Sequence, residues 1–132
     1  MPILGSENIR EYRNKLEFTF SDKRWLTWDE VAQGVQYDNM NALGFHIPGA
    51  FDKVLDIQEC ALMQGLNNRL RNGIREFVTK ESIPFYDLRS HKGVLRGMML
   101  RISTTGEVML LIQARVECDN DKVLLEKVLQ YV

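Results

Sequence analysis

The chain reads as an α+β domain, an antiparallel or mixed sheet of about five strands carrying two main helices. Three observations predict this. Tyr12 to Phe20 alternates apolar and polar side chains, the period of a half-buried strand. From about Leu62 the period becomes helical, with Leu62, Leu66, Leu70, Ile74, Phe77 and Val78 on one stripe. Val94 to Ser103 and Glu107 to Glu117 are two extended runs around Thr104-Thr105-Gly106, the pattern of a hairpin. With 132 residues the chain has the size of a single domain with one core.

The elements follow in order. In the first strand Tyr12, Asn14, Leu16, Phe18 and Phe20 share one face, and Arg13, Lys15, Glu17 and Thr19 share the other. Ser21-Asp22-Lys23 is a turn, and Trp25 to Trp28 reads as a short return strand. Asp29 to Asn41 is polar and irregular, a surface loop. Leu43 to Ile47 is a second strand stopped by Pro48-Gly49, and Val54 to Ile57 is a short third. The long helix, weakened slightly by Gly65 and Gly73, ends at Ile83-Pro84 because a residue before proline disfavours the helical region.

In the hairpin, pairing Ser103 with Glu107 sets the register by counting. Ile102 then faces Val108, Leu100 faces Leu110 and Met98 faces Ile112, a core face. The other face sets Arg101, Met99, Gly97 and Leu95 opposite Met109, Leu111, Gln113 and Arg115. This mixed face needs a cover: a helix, a partner or a ligand. Asp119-Asn120 caps a last helix whose apolar side is Val123, Leu124, Val128 and Leu129.

Composition narrows the function. A hydrophobic fraction of 45% and a charged fraction of 27% exclude a disordered chain. Seventeen Lys and Arg against 18 Asp and Glu leave a net charge of −1, which excludes a domain that coats nucleic acid through broad positive charge. A local basic surface remains, because Arg89, His91, Lys92, Arg96 and Arg101 crowd the run from Leu88 to Arg101. No apolar run approaches a membrane span, and Met1 to Ser6 lacks a signal pattern. The two cysteines, Cys60 and Cys118, are too few for a disulfide framework, so the expected compartment is the cytoplasm.

No catalytic signature stands out. Cys60 and Cys118 have only His46 and His91 as potential bases, with no local motif to join them. There is no dinucleotide turn, no Walker-type loop and no zinc-ligand cluster. The bland readings carry more weight on residue types alone. Arg96 and Arg101 are ordinary strand arginines that lie along apolar surface or pair with acids such as Glu107. His91 is an exposed loop residue, Cys60 a small buried hydrophobe, and Arg13 and Lys15 the solvated face of an edge strand.

The order of several segments adds to this. Tyr12-Arg13-Asn14-Lys15-Leu16-Glu17-Phe18-Thr19-Phe20-Ser21 is followed by Leu43-Gly44-Phe45-His46 with Pro48-Gly49. Then come Val54-Leu55-Asp56-Ile57-Gln58-Glu59-Cys60, Ile83-Pro84-Phe85-Tyr86-Asp87, and Leu95-Arg96 to Arg101 with Gly106-Glu107. From about Tyr12 to about Gln113 this set resembles the central domain of RumA/TrmA-type RNA (uracil-5-)-methyltransferases, more closely the bacterial 23S rRNA branch. The strongest piece is Tyr-Arg-Asn-Lys-x-Glu-Phe.

The resemblance implies a fragment of a larger cytoplasmic enzyme. In that family a β-barrel TRAM domain binds RNA. A central domain helps hold the RNA and, in many members, a 4Fe–4S iron–sulfur cluster. A Rossmann-like domain binds S-adenosylmethionine and methylates uracil C5 through a cysteine nucleophile. The TRAM and S-adenosylmethionine-binding domains are expected to be absent from residues 1–132, so no catalytic residue and no cofactor are assigned to this chain.

Arg13 matches the strand arginine that approaches RNA near the flipped base, and a guanidinium suits phosphate and base edges. Lys15, Arg96 and Arg101 complete the implied RNA-binding set. Cys60 matches the last of four cluster ligands. The other three belong to a motif before Tyr12 that is missing here, and Ala61 stands where relatives often have proline. Cys60 is therefore a single remaining ligand with no cluster expected. The implied partner is rRNA, with tRNA the alternative. A fragment cut from its neighbours exposes apolar surface, which makes a homodimer a further expectation. The competing reading is a stand-alone α+β interaction or dimerisation domain without enzymatic activity.

Overall fold

Leu16, Phe18 and Phe20 are each no more than 3% exposed, and they set the centre of the molecule. They belong to β1 (Lys15–Ser21), the middle strand of a five-stranded antiparallel sheet. A computed structural model describes residues 1–132. Its other strands are β2 (Ala42–Ile47), β3 (Ala50–Asp56), β4 (Leu95–Ile102) and β5 (Val108–Ala114), in the order β3-β2-β1-β4-β5. The helices are α1 (Trp28–Ala32), α2 (Leu66–Lys80) and α3 (Asp119–Tyr131). The α+β class is as the periodicities predicted.

Two core rows cross the sheet. Leu16 pairs with Leu100, which pairs with Leu110; Phe18 pairs with Met98, which pairs with Ile112. Ile74 and Val78 of α2 and Val128 of α3 join Leu16, Phe18, Phe20, Met98 and Leu100 in one apolar cluster. Both long helices therefore cover the same face. Phe77 stacks on Tyr131 at 4.2 Å, and Lys127 bonds Glu81 at 3.0 Å, tying α3 to α2. Burying a side chain such as Phe18 is worth about 2–3 kcal/mol, so this face dominates stability.

The opposite face has no helix. Its rows are Lys15–Arg101–Met109, Glu17–Met99–Leu111 and Thr19–Gly97–Gln113. The hairpin register is the predicted one. Ser103 donates to the Glu107 carbonyl at 2.9 Å, and Gly106 takes φ +90, as a turn ending in a left-handed residue requires.

Several boundaries differ from expectation. β1 begins at Lys15, because Glu11 and Arg13 donate their N–H groups to Ala61 and Leu62 at 2.8 Å instead of to the sheet, which leaves Tyr12 exposed. Trp25 to Trp28 is not a return strand. Trp25 makes one backbone bond to Val54, and Thr27 then caps α1 in a capping box with Glu30, so helix replaces the start of the expected loop. β3 is longer than Val54 to Ile57. Leu62 precedes α2, whose buried side is Asn67, Arg71, Ile74 and Val78.

Leu95 faces the core, fully buried. A bulge between Leu95 and Gly97 flips its side, and Ala114, not Arg115, is its partner. α3 is capped by Cys118 with Asp121, so Asp119 and Asn120 lie inside the helix. Of its expected apolar side, Val128 is buried and Leu124 packs on the core, while Val123 and Leu129 are exposed. The single stripe predicted for α3 is too wide for the contact that α2 offers.

Candidate nucleic-acid interface

β1 and β4 bring two of the predicted basic residues together. Lys15 and Arg101 are cross-strand partners, exposed on the face that no helix covers. The Ile102 N–H donates to the Asn14 carbonyl at 2.9 Å, so the chain just before β1 stays against the end of β4. Arg13 lies on that segment. It shares a surface hollow of about 200 Å³ with Asn14, Ser103 and Thr104 of the hairpin turn. Arg13, Lys15 and Arg101 thus cluster at one end of the sheet.

Their charges are not equally free. Lys15 pairs with Glu17 at 2.9 Å, with both side chains well exposed, which dilutes its field. Arg13 and Arg101 form no ion pair and no side-chain hydrogen bond, so both guanidinium forks face solvent. The expected pairing of Arg101 with Glu107 is not formed; Glu107 accepts from Ser103 and Thr105 instead.

Arg96 sits at the other end of β4, five residues from Arg101, about 16 Å along a strand. It lies over the Tyr86 ring at 4.6 Å, and Tyr86 shares a 3.0 Å hydrogen bond with His91 Nδ1. The structure therefore divides the four predicted basic residues into a cluster and a separate position. In the same basic run, Arg89 is committed to Asp52, and this bond holds the Asp52 carboxyl below its usual range. Asp87 is likewise depressed, mainly by Lys23 at 2.5 Å.

Cys60 is 7% exposed in the loop between β3 and α2. It borders a hollow of about 430 Å³ with Arg10, Glu11 and Asn68. No three or more His, Cys, Asp or Glu side chains gather there or elsewhere, and Cys118 is exposed at the start of α3. A 4Fe–4S cluster takes four thiolates. With Cys118 away from that hollow, Cys60 is its single thiol, and the residues of this chain do not fit such a cluster.

What the sequence reading missed is the polar seam beneath Cys60. Asn67 Nδ2 donates to the carbonyls of Cys60, Met63 and Gln64 at 3.2, 2.9 and 2.8 Å. Asn68 Oδ1 accepts from the Cys60 N–H at 2.8 Å. Arg71, completely buried, donates to Asn67 Oδ1 at 2.9 Å and to Asn68 Oδ1 at 3.0 Å. The available signal was spacing: Asn67, Arg71, Ile74 and Val78 recur at helical intervals, so two polar residues share the buried stripe.

No family model matches the chain. Three bacterial proteins, each described as an uncharacterized RNA methyltransferase, are similar to it. The one from Bacteroides thetaiotaomicron is 50% identical over 131 residues, covering 99% of this chain and 29% of the relative. That from Porphyromonas gingivalis is 49% identical over 120 residues, covering 84% and 25%. That from Chlorobaculum tepidum is 37% identical over 111 residues, covering 83% and 23%. The chain therefore spans between 23% and 29% of the length of these relatives. Among solved structures, the Pyrococcus abyssi tRNA (uracil-54, C5)-methyltransferase in complex with S-adenosyl-L-homocysteine shares the fold. Its TM-score is 0.61 at 24% identity, over 86% of this chain and 24% of that one. Sequence and fold together uphold the resemblance carried by the motifs: this chain is similar to a segment of the RumA/TrmA-type RNA methyltransferases.

Proposed function

We propose that residues 1–132 are the RNA-docking segment of an S-adenosylmethionine-dependent RNA uracil-5-methyltransferase, with 23S rRNA as substrate. The observation that carries this reading is the 50% identity, over almost the whole chain, to a protein described as an RNA methyltransferase. The Arg13, Lys15 and Arg101 cluster supports it, because it offers two uncommitted guanidiniums and an ammonium at one end of the sheet. Guanidinium forks bind phosphate oxygens in pairs and orient an RNA backbone, while the methyl transfer belongs to other parts of the protein.

The test uses the whole enzyme. Replacing Arg13 and Lys15 together with Ala should weaken binding of a uridine-containing rRNA stem–loop about tenfold or more, at roughly 1 kcal/mol per charged contact. S-adenosylmethionine binding should not change. Unchanged RNA affinity removes both residues from the interface. Incubation with labelled S-adenosylmethionine and either 23S rRNA or tRNA transcripts decides the substrate; 5-methyluridine in tRNA alone overturns the rRNA assignment.

A further inference from the structure

Arg71 is the one fully buried cation in the molecule, and no carboxylate pairs with it. Its partners are the Asn67 and Asn68 amide oxygens and the face of Phe18, whose centroid is 5.0 Å away. Its Nε has no partner at all. Burial accordingly pushes its pKa below the usual arginine value. A charge in such a place is costly, and an apolar side chain of similar volume would pack there without that cost. Core packing therefore does not account for it.

The hydrogen bonds lead outward to the candidate interface. Arg71 holds the Asn67 and Asn68 side chains, and these hold both backbone groups of Cys60 and the carbonyls of Met63 and Gln64. Within the loop so fixed, the Ala61 and Leu62 carbonyls accept from the N–H groups of Glu11 and Arg13, each at 2.8 Å. Glu11 has φ +56, a left-handed conformation that costs a non-glycine residue free energy and persists only where its surroundings hold it. The segment carrying Arg13 is thus attached to the body of the protein through a loop whose anchor is Arg71.

We propose that Arg71 is a positioning residue for RNA docking: through Asn67, Asn68 and the Cys60 loop it fixes the backbone from which Arg13 reaches the RNA. This rests on the docking role of Arg13 proposed above and adds the device that orders it. The buried charge binds both amide oxygens: it turns the Asn67 nitrogen toward the loop carbonyls and fixes the Asn68 oxygen where the Cys60 N–H also reaches it. An apolar residue at the same place would remove the donor that both oxygens share and so uncouple the two side chains.

The experiment compares Arg71→Gln and Asn68→Ala in the whole enzyme, the second variant retaining the buried arginine in case the first does not fold. The first readout is amide hydrogen exchange. The Glu11 and Arg13 amides should exchange at least tenfold faster in either variant while the amides of β1 and β4 keep their rates. A merely destabilising change would speed all of them together. The second readout is affinity for a labelled uridine-containing RNA stem–loop across a salt series. Each variant should bind several-fold more weakly and lose about one phosphate contact from the salt slope. Neither should weaken binding further in an Arg13→Ala background. Wild-type exchange at Glu11 and Arg13, or additive losses with Arg13→Ala, overturns the proposal. Faster exchange in a protein whose RNA affinity is indifferent to Arg13→Ala supports the anchor and overturns the docking reading instead.

Discussion

Asp56 places one carboxylate, its side chain 1% exposed, among four donors: the Leu43 N–H, Arg24 and Arg75, each at 2.9 Å, and Gln58 at 3.3 Å. It joins β2, β3 and α2 with the segment after β1. Removing it leaves Arg75 without its counter-ion and Arg24 with only the 3.5 Å ion pair to Glu30, and Arg24 Nε already lacks a partner. Asp56→Ala should destabilise the fold by about 3 kcal/mol, read as a lower urea midpoint at unchanged slope. Beside it, the Tyr37 hydroxyl and the Thr27 N–H hold the Glu30 carboxyl down from 4.5 to about 2. A carboxyl depressed on folding adds stability above its unfolded value and loses it as pH falls through the folded value. Thermal stability should therefore decline as the pH drops from 4.5 to about 2. Tyr37→Phe should flatten that decline, since it removes the largest cause of the shift; an unchanged pH profile would rule Glu30 out as the source.

Among the elements, β1 is paired on both sides and packed by both long helices, so its side chains have the least room to relax. Phe18 meets Phe45 at 5.2 Å and lies under the Arg71 guanidinium. Phe18→Ala should cost about 4 kcal/mol, measured by denaturation, as large-to-small changes at a confined core site do. The hairpin of β4 and β5 was readable residue by residue, because a three-residue turn ending in glycine and a period of two leave one register that buries Met98, Leu100 and Ile102. Its far end was not. The bulge at Arg96 depends on Phe85 and Tyr86 running beside Leu95, contacts between segments distant from the turn that sets the register. The short α1 was missed for another reason: five residues carry too little periodicity, and only the Thr27–Glu30 capping box marks it.

For the whole molecule, a net charge of −1 means that the proposed docking of RNA would rest on the placement of a few cations and not on the overall field. If Arg13, Lys15 and Arg101 each neutralise one phosphate, binding of single-stranded RNA should show a log–log salt slope of about −2. A much steeper slope would mean that Arg96 or the Leu88 to Lys92 loop also reaches the backbone, and a slope near zero would exclude this end of the sheet. The same face exposes Met109 and Leu111 by more than two-fifths each. No helix of the molecule is long and apolar enough to cross a membrane.

Periodicity and turn chemistry were enough to specify the α+β class, the hairpin register near its turn and the apolar members of the α2 stripe, because these depend on neighbours a few residues away. The ordered motifs were enough to specify the resemblance, on which the proposed role of Arg13 rests. What needed the folded chain were the relations between distant segments. Lys15 meets Arg101 because β1 pairs with β4 across more than eighty residues of sequence. Arg96 is set apart by a bulge, and Cys60 stands without a second thiol beside it. Arg71, which composition presents as one surface charge among many, is instead drawn inside, where two asparagines and a phenylalanine ring take the place of water. Its helical spacing from Ile74 and Val78 marks the side of α2 it shares with them, but its burial is a property of the assembled layers.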